Sequence, residues 1–339
     1  MASAQAPSVP KLDFKPCGGR AATVQCTTAK VPLDYDRPDG RNISLFLAKS
    51  PATDQAHKLG SLFINFGGPG GTAADIFEFF GADLFPALNE RYDIIAMDPR
   101  GVGQSEPAID CKANQETQGI YSQPFPTPDN VKPQALIAKD LRYIARCGEL
   151  NRTILPHVST ANVARDIDLL REALGDKKIA YFGFSYGTVL GATYASLFPR
   201  NYSRMVLDGP VDATDYMNDP LATLSSQSSG FERAFGRFFQ ACARDQVNCL
   251  GFGADDPWDA FDQLVDRANQ SPIPAGGSDP RPVDGDDIIF GAASELYAKQ
   301  FWPELAQALS EAANNNDATL LRQLADGFYG RNDDGTFGP

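Results

Sequence analysis

Histidine is nearly absent from this sequence: His57 and His157 are the only two, and none follows residue 157. The six cysteines include no C-x-x-C spacing, so a zinc set of the usual Cys/His kind is excluded. Basic residues are in deficit, with 30 Lys plus Arg against 43 Asp plus Glu and a formal charge of −13. The basic footprint that nucleic-acid binding requires is therefore missing. No apolar run approaches the ~18 residues of a membrane span. Internal repeats and low-complexity tracts are absent as well, which excludes solenoids and arrays.

What is present suits a globular chain. The 339 residues are 42% hydrophobic and 22% charged, enough for one large α/β domain with an insertion. Thr23 to Leu33 and Asn42 to Lys49 read as strands of an opening hairpin, joined by a turn over 35–40. Ser61 to Phe66, Tyr92 to Met97, Lys178 to Phe182 and Tyr202 to Asp208 read as further, mostly buried strands. Helical stretches fall between them: 72–88, Ala135 to Cys147, the Ser159-capped run to Gly175, and Thr188 to Phe198. Strand and helix alternate, which predicts a mostly parallel sheet flanked by helices. Residues 105–132 read as a long loop. After Asp215 the pattern is helical throughout, with runs at Phe231–Cys242, Pro257–Asn269, Asp287–Lys299, Trp302–Ala313 and Ala318–Phe328. The expected division is a core over 12–214 and a helical cap over 215–339.

Three motifs carry chemistry. The segment Ile179 to Leu190 runs strand, then Gly183-Phe184-Ser185-Tyr186-Gly187, then helix. A serine on so sharp a strand-to-helix turn leaves no room for side chains two residues to either side, which Gly183 and Gly187 remove. Ser185 is then displayed at the positive end of a helix as a candidate nucleophile, with the Tyr186 N–H placed to face a developing oxyanion. The Gly67-Gly68-Pro69-Gly70-Gly71 loop after the Ser61–Phe66 strand is suited to bring a second backbone N–H to a substrate carbonyl. It lacks the Lys-Ser/Thr ending of a phosphate-binding loop. The third motif, Asp98-Pro99-Arg100-Gly101-Val102-Gly103-Gln104-Ser105, is read as structural. Asp98 and Arg100 are expected to brace the loops around Ser185 by charge-assisted hydrogen bonds.

Taken in order, these motifs and Val206-Leu207-Asp208-Gly209-Pro210-Val211-Asp212 resemble the secreted tripeptidyl aminopeptidases, α/β hydrolases related to proline iminopeptidases. The resemblance runs from about Cys17 to the last residue. It implies the α/β-hydrolase fold with a helical cap. It implies Ser185 as nucleophile, and the N–H groups of Gly68 and Tyr186 as the oxyanion hole. The substrates it implies are peptides with a free N-terminus, or small esters and amides, with no cofactor or metal. Phe66 stands where iminopeptidases carry His before the Gly-Gly pair, which argues against strict proline specificity. Asp212, Asp215, Glu232 and Glu295 are candidates to hold a substrate amine.

A serine hydrolase also needs a histidine base and an orienting carboxylate, which in this fold follow the serine in chain order. Neither His57 nor His157 meets that order, and both are read as loop histidines. The acid and the histidine are therefore expected beyond residue 339, in a longer chain or in a complementary C-terminal fragment. The alternatives are a carboxylesterase on the same machinery and a non-catalytic or inactive hydrolase-fold fragment. The cysteines fall into close pairs, Cys17 with Cys26, Cys111 with Cys147 and Cys242 with Cys249. Nearest-neighbour disulfides are the preferred pairing, and six reduced thiols the alternative. Met1 to Lys11 lacks the features of a signal peptide and reads as a mature secreted start with an added Met.

Overall fold

The computed structural model describes residues 6–19, 21–112, 133–245, 248–254, 256–277, 280–332 and 334–336. Most of the expected 105–132 loop lies outside them. The chain forms two compact units: residues 1–111 with 148–219, and residues 112–147 with 220–338.

The first unit is built on a seven-stranded sheet. Its strands are β1 (Lys15–Pro16), β2 (Gln25–Pro32), β3 (Asn42–Ser50), β4 (Gly60–Asn65), β5 (Tyr92–Met97), β6 (Ile179–Phe184) and β7 (Tyr202–Asp208). The spatial order is β1-β2-β3-β5-β4-β6-β7. β1, β2 and β3 run antiparallel, and β3 joins β5 antiparallel. β5, β4, β6 and β7 run parallel. β1 was not anticipated. It is two residues long, and Cys17, just past it, is disulfide-bonded to Cys26 of β2.

The period-2 alternation of the strands fills two cores, one on each face. Phe63, Ile95, Met97 and Tyr181 join one cluster. Leu62, Ile64, Ile94, Ala96 and Ala180 join the other. β5 is buried at every position, as a central strand covered on both faces must be. Among the described residues β7 is the last strand of the sheet, with Val206 51% and Leu207 37% exposed.

β4 lies between β5 and β6, so the chain leaves β4 toward one neighbour and later returns to pair on its other side. In parallel sheets such a reversal opens a crevice at the carboxyl ends of the strands. The glycine loop after β4 and the serine turn after β6 both stand at that crevice.

The second unit is helical. Its helices include Pro133–Leu150, Pro220–Arg244, Pro257–Gln270, Gly285–Glu295, Trp302–Ser310 and Thr319–Tyr329. The expected Phe231–Cys242 helix is the second half of a 25-residue helix that starts at Pro220. Its Phe235, Phe238, Phe239 and Cys242 recur at helical spacing and are buried. The polar first half, rich in Ser and Thr, carries no such stripe, which is why the sequence concealed it. Asp256 and Asp284 cap the helices that follow them. Gly291 sits where a Cβ would stand 3.1 Å from the Leu321 carbonyl, which lets the 285–295 and 319–329 helices approach closely. Cys242 and Cys249 are disulfide-bonded to each other, and Cys111 and Cys147 are each disulfide-bonded.

In the first unit Asp168 ties three elements together. Its carboxylate accepts from Arg171 Nε at 2.8 Å, from Tyr194 Oη at 3.0 Å and from Asn201 Nδ2 at 2.7 Å. These residues belong to the Thr160–Ala173 helix, the Tyr186–Leu197 helix and the turn entering β7. Burial alone would push the carboxyl up, but the three donors outweigh it and hold the carboxyl below its usual range. A folded-state value below the unfolded one gives stability that is present above pH ~4 and lost as pH falls through the folded value. Asp168→Asn is therefore expected to lower unfolding free energy at pH 7 by on the order of 2 kcal/mol. Urea unfolding at pH 7 and pH 3 checks this. A deficit as large at pH 3 as at pH 7 would contradict it.

Candidate active site

Ser185 has φ 52° and ψ −123°, a left-handed conformation that a side-chain-bearing residue adopts only when its surroundings enforce it. The enforcement is visible. Ser185 N–H donates to the Asp208 carbonyl of β7 at 3.0 Å. The Ser185 carbonyl accepts from Thr188 N at 2.9 Å and from Thr188 Oγ1 at 2.6 Å. Thr188 Oγ1 accepts in turn from Val211 N at 3.1 Å, which binds the segment after β7 to the same turn. Tyr181 Oη donates to the Gly187 carbonyl at 2.8 Å. The serine itself is exposed, while Tyr186, Gly187 and Thr188 are buried.

The glycines have the steric role their spacing predicted. A Cβ on Gly183 would overlap the Gly187 carbonyl, and one on Gly187 would stand 2.7 Å from the Asn65 carbonyl. Across the crevice, a Cβ on Gly67 would lie 2.8 Å from the Phe184 carbonyl, 3.0 Å from Ser185 Cβ and 3.4 Å from Tyr186 N. Gly67 is thus the loop residue pressed against the serine turn. Its φ of 102° is open to glycine alone.

Asn65 organises the junction, and sequence reasoning passed over it. It is buried at the end of β4, its Oδ1 accepts from Gly67 N–H at 3.0 Å, and it borders Gly187. The signal was a lone polar residue closing an apolar strand. Because Asn65 occupies the Gly67 N–H, the next donor along the loop is Gly68. Among the described residues neither the Gly68 N–H nor the Tyr186 N–H has a hydrogen-bond acceptor. Two open backbone donors beside one serine are what stabilising an oxyanion requires.

Packing holds the two turns together. Phe66 and Phe184, one residue ahead of Gly67 and Ser185, stack at 5.9 Å with their planes 9° apart. Phe182 and Phe85 extend the stack. Tyr186 Oη meets Thr160 Oγ1 at 2.8 Å, and its ring packs on Tyr216.

The bracing expected of Asp98 and Arg100 is present, though through separate partners. Asp98 Oδ1 accepts from Ala73 N and Ala74 N, each at 3.0 Å, anchoring the far end of the glycine loop, and its Oδ2 accepts from Gln104 N. Arg100 is fully buried and pairs with Asp166 at 2.7 and 2.6 Å. It also donates to the carbonyls of Pro32, Leu33 and His157.

Neither histidine reaches the serine. His57 is exposed, pairs with Asp54 at 2.8 Å and precedes β4. Since β4 and β6 are parallel, that is the edge of the sheet opposite Ser185. His157 lends its carbonyl to Arg100, and no hydrogen bond joins its ring to Ser185 among the described residues. Of the carboxylates considered for substrate binding, Asp212 is engaged in capping Thr214 N and Asp215 N, and Asp215 is exposed on the helix it starts. In the second unit Glu232 is exposed. Glu295 is buried beside the Ser294 hydroxyl, and burial raises its carboxyl.

A sheet whose switch point carries a serine on a left-handed turn, facing a glycine loop, is the frame that displays a nucleophile to small carbonyl substrates. The chain belongs to the α/β-hydrolase fold family, whose model matches residues 61–251. It is 36% identical to the serine protease Hip1 of Mycobacterium tuberculosis, over 96% of this chain and 64% of that protein. Carboxylesterase B of Mycobacterium tuberculosis is 35% identical, over 93% of this chain and 60% of its own length. The tripeptidyl aminopeptidase of Streptomyces lividans is 37% identical, over 89% and 56%. The chain thus spans roughly three fifths of the length of these curated relatives.

The turn geometry makes an opposed pair of expectations. Ser185→Gly relieves the backbone and is expected to raise unfolding free energy by about 1 kcal/mol. Gly187→Ala forces a Cβ onto Asn65 and is expected to lower it by about 2 kcal/mol. Urea midpoints of the two variants check both signs.

Proposed function

We propose that this chain carries the nucleophile and oxyanion hole of a secreted serine hydrolase that releases short peptides or residues from free N-termini. One observation carries the reading: Ser185 is held on a left-handed turn beside two backbone N–H groups without acceptors. In this scheme Ser185 Oγ attacks the scissile carbonyl and loses its proton to a histidine. The carbonyl oxygen takes the negative charge between the Gly68 and Tyr186 N–H groups. Collapse expels the amine, which takes that proton from the histidine, and leaves an acyl-enzyme on Ser185; water, deprotonated by the same histidine, then releases the acid and restores the serine hydroxyl.

The histidine and its carboxylate come, on this proposal, from polypeptide other than these 339 residues. Three observations support it: no histidine follows Ser185, neither upstream histidine reaches it, and the relatives are longer. A C-terminal complementary fragment of the same precursor is one form that polypeptide can take. The three disulfides support an oxidising, extracytoplasmic setting. No helix among the described residues is long and apolar enough to cross a membrane. The likeness to the tripeptidyl aminopeptidase favours peptide substrates. The likeness to carboxylesterase B keeps small esters as the second reading, with the helical unit, read as a cap over 215–339, choosing between them.

A fluorophosphonate probe tests the proposal, with peptide mapping of the adduct in protein from its natural source and in this chain. The expected outcome is labelling of Ser185 in the natural protein, abolished by Ser185→Ala, and at least a hundredfold slower labelling of this chain alone. Labelling at another residue, or none in either sample, would overturn it. Comparing tripeptidyl amides with acyl esters then separates peptidase from esterase.

A further inference from the structure

The helical unit contains a groove that the proposed chemistry leaves unused. It has a volume of about 390 Å³ and lies between the Pro220–Arg244 helix and the turn after the Gly285–Glu295 helix. Its floor is apolar, formed by Ala234, Leu296, Ala298 and Trp302, and its rim carries Arg233, Arg237 and Lys299. No carboxylate lines it.

The charge pattern is unusual for this molecule. Arg233 and Arg237 are four residues apart on one helix, where like charges face each other and destabilise the helix. In a chain of net charge −13, acids to separate them are plentiful, yet none of the three cations is ion-paired among the described residues. Lys299 instead lies over the Trp302 ring at 5.7 Å. Gly230, one turn ahead of Arg233 and Ala234, borders open space, since a Cβ there would meet only an Arg233 terminal nitrogen at 4.0 Å. Tyr297, packed edge-on to Phe231, stands 67% exposed at the same site.

Three unpaired cations around an apolar, aromatic-walled groove fit a ligand with an anionic head and an apolar body. We propose that this groove binds a carboxylate attached to an aryl or alkyl group, such as an apolar organic acid or the C-terminus of a peptide ending in an apolar residue. The two arginines take the carboxylate through their planar donor forks, and Lys299 adds charge. Trp302 and Leu296 take the apolar body. The site is independent of Ser185 and holds whether or not the hydrolase reading does.

The test is calorimetric titration of the 339-residue chain with N-acetyl-L-phenylalanine and with its neutral amide, alongside tryptophan fluorescence. The acid is expected to bind, with the amide at least tenfold weaker. Arg233→Gln combined with Arg237→Gln should weaken the acid at least tenfold without changing the circular dichroism spectrum. Lys299→Gln should weaken it by about threefold. Equal binding of acid and amide, wild-type affinity in the double variant, or no binding at millimolar acid would each overturn the proposal. Titration with N-acetyl-Ala-Ala-Phe assigns the source. Tighter binding than N-acetyl-L-phenylalanine marks a peptide C-terminus as the ligand, and equal binding marks a free organic acid.

Discussion

Everything at the crevice depends on how closely two backbone segments approach. The end of β4 with its loop and the turn after β6 come within the space one methyl group would need at Gly67 and Gly187, and the turn folds as tightly on itself at Gly183. That approach forces Ser185 into its left-handed conformation and sets the Tyr186 N–H beside the loop. It also leaves the Gly67 N–H no partner but Asn65. A side chain added at any of these points would move the serine away from the loop and break the alignment of the donors. The strain at one residue is sustained by a ring of hydrogen bonds, from Thr188, Asp208 and Tyr181, each directed to backbone rather than to side chain. Such a turn is set by the framework around it and not by the serine.

The framework is itself cross-braced through buried charge. Arg100 reaches Asp166 and three carbonyls from the loop after β5, and Tyr35 adds its hydroxyl to the same carboxylate at 2.7 Å. A guanidinium and a carboxylate buried together are costly to desolvate, and the cost is offset here because nearly every donor and acceptor has a partner. The result fixes the end of β2, the loop after β5 and the start of the 160–173 helix in one register. Asp98 does the equivalent service for the glycine loop through Ala73 and Ala74.

Much of this was legible in the sequence because it rests on backbone sterics and period-2 burial. Gly183 and Gly187 announce the turn by their spacing, and the runs at 61–66 and 92–97 announce central strands by being mostly apolar. The mostly parallel sheet followed from those features, and the α/β-hydrolase fold from the family resemblance that the motifs carry. What stayed hidden depended on partners distant in sequence. Asn65 looked like an ordinary strand-end residue, and only its neighbours Gly67 and Gly187 reveal its part in the junction. The first half of the Pro220–Arg244 helix has no apolar stripe to mark its period, so only its second half was read. Arg233, Arg237 and Lys299 lie on segments more than fifty residues apart, and no local pattern joins them.

β7 carries a consequence for how the chain behaves in a test tube. Among the described residues it stands at the end of its sheet, and Val206 and Leu207 are exposed on it. Terminal strands of this kind recruit extended segments of other molecules unless something blunts them. Arg204 and Asp208 are the only charges on the strand, and charge is what keeps an uncovered strand from pairing with other molecules.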